Sequence, residues 1–226
     1  MADRAYLRVW TRDFSETTLL EQFVRFLATV PLASSASEFT QLMVQSIDPS
    51  ETPVADWDLR GQGCGAAEVA ALAAQHLHTD TAYFAFAQWD LWQFDAETMR
   101  WQKGPAPMQL ACYGPEFDDG VAATDGNLEA TLGLEHLFTG QGGLLTVGPP
   151  AGSSSQAEDE AEHRFVRWMA RETNLREYHQ KTRENIQQLW DWMAAIERAL
   201  PVERTELWSE GEENLEARLD AILAQR

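Results

Sequence analysis

The sequence predicts an α+β fold: an antiparallel or mixed sheet of about five strands, backed by two helices and followed by a helical C-terminal region. Two patterns lead to this expectation. Apolar residues alternate along several short segments, as they do on the half-buried strands of a sheet. Along other segments they recur every three or four residues, as they do on the buried side of a helix. A fold class of this kind assigns no function by itself.

The first three elements are predicted from residues 5–47. Alternation over 5–11 predicts a strand, and helical spacing over 15–30 predicts a helix that Asp13 or Ser15 can cap. A second strand is predicted over 39–47. The following residues, 48–63, contain two prolines and several acids. We expect them to form a long irregular loop.

A second helix and three more strands follow. The helix is predicted over 66–77, and residues 81–95 are apolar on both faces, which is typical of a central strand covered on both sides. Residues 108–114 are predicted to pair back on that strand as a hairpin. In residues 127–138, apolar residues alternate with polar ones, which predicts a strand with one buried face. The order of these elements favours a ferredoxin-like sheet.

The chain is expected to divide into a sheet domain, 1–147, and a helical C-terminal region, 163–226. The stretch between them, 148–162, is rich in Gly, Pro and Ser and then acidic, as linkers are. Apolar residues step by threes and fours from Leu175 to Leu200, which predicts helix. Ser209, with Glu212 three residues later, predicts the cap of a last helix.

Charge is the strongest global signal. The chain has 36 Asp and Glu against 17 Lys and Arg, a formal net charge of −19. Such a protein repels nucleic-acid phosphates and anionic membrane surfaces. We therefore expect no nucleic-acid or membrane partner, and a basic protein as the more natural one. No uncharged apolar run reaches the length of a membrane span.

The start of the chain and its cysteines bear on location. The first ten residues, "MADRAYLRVW", lack the apolar run of a secretory signal. The only cysteines, Cys64 and Cys112, are far apart and have no metal-binding spacing. A chain with so few cysteines suits a reducing compartment. We expect a cytoplasmic protein.

The glycine-rich stretch "LRGQGCGAAEVAALAAQHL", residues 59–77, is the one motif that suggests chemistry. A dinucleotide loop needs a strand directly before its glycines and an acid at the end of the next strand. Gly61, Gly63 and Gly65 have neither, and no lysine of the P-loop type follows. The spacing therefore argues against a nucleotide, and we expect no cofactor.

Three residues are candidates for catalysis. Cys64 is predicted at a helix N-terminus, where the helix dipole favours a thiolate. A catalytic thiol also needs a nearby base. His136 is a candidate because, unlike His76 and His78, it is not predicted at the opposite end of the helix from Cys64. Asp90 interrupts an apolar strand, so its carboxylate requires a partner. Arg8 or Arg100 is the expected structural partner of Asp90.

Weak metal candidates are His76, His78 and His136. The first two flank the predicted end of a helix, and His136 falls on the apolar face of its strand. A metal site requires two or three ligands that converge. Nothing in the spacing shows convergence, and the alternative is that each histidine is satisfied within or at the rim of the core. The expectation is therefore that no metal is bound.

Four tryptophans are candidates for partner binding, because clustered exposed aromatic residues mark interaction surfaces. They are Trp168, Trp190, Trp192 and Trp208. The alternative is that they pack onto the sheet domain or form a homo-oligomer contact through the C-terminal helices. We therefore predict a non-catalytic interaction or regulatory protein that binds a basic partner. The competing prediction is an enzyme or small-ligand-binding domain with a site near residues 48–65 and Cys64.

Overall fold

The computed structural model describes residues 3–95, 98–140, 164–165 and 167–224. They form one antiparallel sheet of seven strands in the order β3-β2-β4-β5-β6-β1-β7. The strands are β1 Arg4–Thr11, β2 Gln41–Ser46, β3 Ala55–Asp58, β4 Thr81–Asp95, β5 Arg100–Tyr113, β6 Leu128–Leu134 and β7 Val202–Ser209. The helices are α1 Glu16–Ala28, α2 Ala66–Ala73, α3 Ala122–Asp125, α4 His136–Thr139, α5 Glu172–Ala199 and α6 Leu215–Ala224. The predicted linker, 148–162, lies outside the described residues.

The prediction of about five strands in a ferredoxin-like arrangement is wrong. That arrangement places parallel strands side by side across a helical crossover, whereas every pair of neighbouring strands here is antiparallel. The two strands that were not predicted, β3 and β7, are the outer strands. β3 is four residues long within the acidic stretch expected to be an irregular loop. β7 lies in the region expected to be helical.

One continuous hydrophobic core fills the space between the sheet and its helices. It contains inward-facing residues of the sheet together with residues of α1, α2, α5 and α6. Trp89 of β4 is at its centre, with ring centroids 5.8 Å from Phe138 and 5.9 Å from Trp192. The helical spacing predicted along the C-terminal region is confirmed on α5, whose buried residues include Tyr178 and Ile196.

The other face of the sheet is only partly covered. The segment after β5 covers one end of it, where Phe117 is fully buried against Phe84 and Ala111. Residues directly opposite one another on neighbouring strands share a face. One such row crosses the uncovered part through Phe86, Gln109, Thr131, Tyr6 and Trp208.

Candidate ligand-binding cavity

The candidate site arises where β5 and β6 separate. β5 pairs with β6 only over Gln109–Cys112 against Leu128–Thr131, but it remains paired with β4 as far as Arg100. Pro107 stands just before the short ladder on β5. A proline has no N–H to donate to a neighbouring strand, so β5 continues beyond this point with β6 at a distance.

β6 changes direction at the same level. Gly133 has a φ of +98°, in the left-handed region that favours glycine. The pairing of β6 with β1 shifts register between Ala5 and Tyr6. Such an irregularity bends a strand and increases its twist. The bend of β6 and the proline of β5 together leave a gap in an otherwise continuous sheet.

The gap is a cavity of about 590 Å³, within the range of roughly 300–1,000 Å³ that is usual for small-molecule sites. Its wall is mostly apolar. The apolar side chains are Phe86, Phe94, Ala106, Pro107, Met108, Leu134 and Leu137, and the polar ones are Arg4, Gln93, Gln109, Thr131 and His136.

His136, the first residue of α4, lines this wall. Its Nδ1 is buried and has no hydrogen-bond partner. Burial lowers the pKa of the imidazole from its usual 6.5, because a low-dielectric surrounding disfavours the charged form. A buried polar atom without a partner costs about 1–3 kcal/mol. His136 thus contributes a partly buried ring, which its lowered pKa favours in the neutral form, to the wall of the cavity.

Two more polar side chains stand next to each other across the strands. Gln109 of β5 lies directly opposite Thr131 of β6. Within the described ranges, no hydrogen bond engages either side chain. An amide and a hydroxyl that converge on one cavity supply both donors and acceptors. They complete the pattern of apolar walls with a few placed polar groups.

Arg4 supplies a positive charge at the rim. Its backbone N–H donates to Glu210 Oε2 at 3.1 Å, which fixes the start of β1. Within the part of the chain described, the Arg4 guanidinium makes no hydrogen bond or ion pair. The side chain is exposed. It is therefore free to meet an acidic group on a molecule whose apolar part occupies the cavity.

A charged network lies on the same face, beside the cavity. The Glu129 carboxylate accepts from Tyr113 Oη at 3.1 Å and from Arg8 Nε at 3.3 Å. Arg8 also pairs with Asp125 at 3.2 Å. Burial raises the pKa of both Glu129 and Tyr113. Because these groups satisfy one another, we assign the network to the stability of the sheet.

Of the three catalytic candidates, only His136 lines the cavity. Cys64 precedes α2, is 9% exposed and packs in the main core. Asp90 accepts from the backbone N–H of Ser34 at 3.0 Å and from its hydroxyl at 2.7 Å, which lower the pKa of the carboxyl. The expected partner Arg8 lies instead opposite Glu129.

The metal candidates have separate surroundings. His78 Nδ1 lies 2.7 Å from Asp80 Oδ1, and the His76 ring packs 5.6 Å from that of Trp57. His136 lines the cavity. Across residues 3–95, 98–140, 164–165 and 167–224, no three His, Cys, Asp or Glu side chains converge as metal ligands would.

The glycine-rich loop already holds an anion of its own chain. Gly61 and Gly63 have φ values of +73° and +68°, and their N–H groups donate to the two carboxylate oxygens of Glu38 at 2.7 and 2.6 Å. Successive N–H groups in such turns form a concave anion site. Here that site is filled from within, which gives the glycines a structural reason.

The four tryptophans occupy different surroundings. Trp192 is 2% exposed and its indole N–H donates to Thr29 Oγ1 at 3.0 Å, so it belongs to the core. Trp190 is half-buried against the core. Trp168 packs 4.8 Å from the ring of Phe94. Trp208 of β7 is 38% exposed on the uncovered face.

Sequence reasoning did not identify Arg4, Gln109 or Thr131 as site residues. They come together only through the pairing of β5, β6 and β1, which the sequence does not specify. The sequence does contain a local indication that the strands here pair irregularly. Prolines at 105 and 107 precede the predicted strand 108–114, and Gly133 interrupts the one after it. Both features indicate irregular pairing.

Comparison with known proteins finds no matching family model, no similar curated protein and no similar solved structure. Every helix among the described residues is too short or too polar to cross a membrane.

Proposed function

We propose that this protein binds a small, largely apolar molecule in the cavity between β5 and β6. The observation that carries the proposal is a mostly apolar cavity of about 590 Å³ whose wall includes the polar side chains of Gln109, Thr131 and His136. A ligand whose polar group bonds the Gln109 or Thr131 side chain, and whose apolar part fills the cavity, would satisfy both kinds of surface.

The chemistry of the wall narrows the ligand. Phe86, Met108 and Leu137 supply apolar wall to a flat or branched apolar body. His136, Gln109 and Thr131 suit a hydroxyl or carbonyl group within it. Arg4 at the rim favours an acidic group at the end nearest solvent. We therefore propose an apolar carboxylic acid or a similar amphiphilic anion.

The dye anilinonaphthalene sulfonate tests the proposal, because it combines aromatic rings with one anionic group. We expect its fluorescence to increase in a saturable way on addition of the native protein. The substitution Thr131→Trp places a large ring in the cavity and should weaken binding at least tenfold, which corresponds to about 1.4 kcal/mol.

The matched control is Thr17→Trp, which adds the same side chain at an exposed position of α1 and should bind the dye like the wild type. The dye also reports exposed apolar surface in loosened proteins. Near-ultraviolet circular dichroism must therefore show native packing in all three proteins. Equal binding by wild type and Thr131→Trp contradicts the proposal, as does a native wild type that leaves the fluorescence unchanged.

A second proposed function keeps the predicted basic protein partner and narrows it to one surface. Trp208 is 38% exposed and its ring lies 4.9 Å from that of Tyr6. Glu206 and Glu210 are the second residues before and after Trp208 in the sequence. Glu210 accepts a hydrogen bond from Tyr6 Oη at 2.8 Å. Exposed Trp and Tyr are frequent interaction hot spots, and carboxylates attract a basic partner.

Capture experiments at low and high salt test this second function. We expect wild-type protein to retain a specific basic protein at low salt and to release it as salt screens the charges. Trp208→Ser should abolish the capture, whereas Trp57→Ser, at a half-buried site of β3, should not. A partner that both variants retain equally contradicts the assignment to this surface.

Both cysteines are free and buried, so we propose that the protein acts in the cytoplasm.

A further inference from the structure

A second cavity lies where α4, α5 and α6 meet. Its volume is about 150 Å³, room for about five water molecules. Its lining includes Arg183, Arg218, His179 and Thr182. None of its described lining residues is an Asp or Glu, although the chain as a whole carries a net charge of −19. Basic groups are therefore concentrated here against the overall composition.

Arg218 of α6 is the first reason to expect an anion. Its Nε is buried and has no hydrogen-bond partner. In the described part of the chain, no ion pair engages its guanidinium. The side chain as a whole is half-buried, and an N–H donor that is buried without a partner is costly. A guanidinium held in this way is most stable when an oxyanion enters the cavity beside it.

Thr182 of α5 is an independent reason. The residue is 3% exposed and lines the same cavity, yet no hydrogen bond reaches its hydroxyl among the described residues. Arg183, the next residue, donates from Nε to the carbonyl of Ile222 at 3.2 Å. That bond holds Arg183 between α5 and α6. The cavity thus combines cationic side chains with the hydroxyl of a buried threonine that is not hydrogen-bonded to any described residue.

We propose that this cavity binds a phosphate group, either free or at the end of a small molecule. Guanidinium groups bind phosphate oxygens through parallel N–H donors, and a hydroxyl adds another donor. The volume suits a tetrahedral oxyanion and leaves little room for more. The net negative charge does not prevent binding, because exposed charges beyond about 8 Å are screened at physiological salt. The site is separate from the β5–β6 cavity and does not depend on the function proposed for it.

Titration of ¹⁵N-labelled protein with inorganic phosphate, at constant ionic strength and with chloride as reference, tests the site. We expect the Arg218 Nε–H signal to shift in a saturable way. Arg218→Gln should weaken phosphate binding by about 10- to 100-fold, the loss of a charge-assisted hydrogen bond. The control Arg204→Gln removes an exposed arginine of β7 and should bind as wild type does. A parallel titration with glycerol phosphate distinguishes free phosphate from a phosphate ester. Whichever of the two ligands binds more tightly identifies the form that the site prefers.

Thr182→Val keeps the shape of the side chain and separates binding from folding. Without phosphate this variant should melt close to wild type, because it loses no hydrogen bond to a described residue. With phosphate it should gain less in melting temperature than wild type. Equal phosphate affinity in wild type, Arg218→Gln and Thr182→Val overturns the proposal, as does an Arg218 signal that does not move at saturating phosphate.

Discussion

At the scale of single residues, the surroundings of a side chain decide its chemistry more than its type does. His136 and His78 illustrate this. His78 is exposed and lies 2.7 Å from the Asp80 carboxylate, so a charged partner is at hand. His136 has no such partner, and burial lowers the pKa of its ring. The same residue type is thus a surface group in one case and a neutral group of a cavity wall in the other.

His136 should make the stability of the protein depend on pH. In the unfolded chain its pKa is near 6.5, and in the folded protein it is lower. As the pH falls through 6.5, the unfolded state takes up the proton first, so the free energy of unfolding decreases. We expect wild type to lose more stability than His136→Phe between about pH 7.5 and pH 5.5, measured by urea unfolding.

The difference in free energy of unfolding between wild type and His136→Phe isolates the contribution of His136, because all other titratable groups, including Glu129, are present in both proteins. A difference that stays constant over this range contradicts the prediction. A measured pKa of His136 at or above 6.5 in the folded protein does so too.

Asp90 shows what the sequence can predict at this scale. A carboxylate between apolar neighbours of a strand requires a partner, and it has one in Ser34. The predicted partners were Arg8 or Arg100. Arg8 was unavailable because β1 pairs with β6 and β7, away from β4. The need for a partner is local, whereas its identity depends on the order of strands.

At the scale of elements, one buried amide joins α5 to the sheet and to α4. Asn185 is 1% exposed. Its Oδ1 accepts from the Trp92 N–H at 2.8 Å, and its Nδ2 donates to the carbonyls of Trp92 and Leu137, both at 2.9 Å. Three hydrogen bonds on one side chain position three elements. Since Leu137 also lines the β5–β6 cavity, this amide helps to shape that site.

Asn185→Leu should destabilise the protein strongly. The leucine matches the apolar surroundings but leaves the N–H and the carbonyl of Trp92 without their partner, and each buried unpaired group costs about 1–3 kcal/mol. We expect the free energy of unfolding to fall by about 3 kcal/mol in chemical denaturation. Gln187→Leu, at an exposed position of α5, should change it by less than about 0.5 kcal/mol. A similar loss in both variants contradicts this role of Asn185.

Elements with a strong period were predictable and short or charged ones were not. The strand predicted over 81–95 coincides with β4, because both sets of alternate positions are largely apolar along this stretch, as in a central strand. β7 has glutamates and an arginine at its solvent-facing positions and only Leu207 and Ser209 buried. Its alternation is therefore weak. Residues 136–138, counted as the end of a strand, instead begin α4 after the bend at Gly133.

At the scale of the whole molecule, the partly covered face of the sheet shows that the sequence indicates where apolar residues are, whereas the strand order decides what covers them. Apolar residues on both faces of 81–95 predicted a strand covered on both sides. On the second face, Phe84 is covered at one end of the strand, and Trp92 lies under Lys181 of α5. Phe86 and Phe94 border the cavity. Composition indicates that apolar surface exists. Strand order decides whether a helix or a ligand meets it.

The pairing of β1 with β6 and β7 has a consequence for how the chain folds. β1 is synthesised before both of its partners, residues 128–134 and 202–209. Contacts between segments so distant along the chain slow folding, because a long loop must close before they form. Until β6 and then β7 leave the ribosome, both edges of β1 offer free backbone groups to other strands. The nascent chain is therefore most prone to aggregate during that interval.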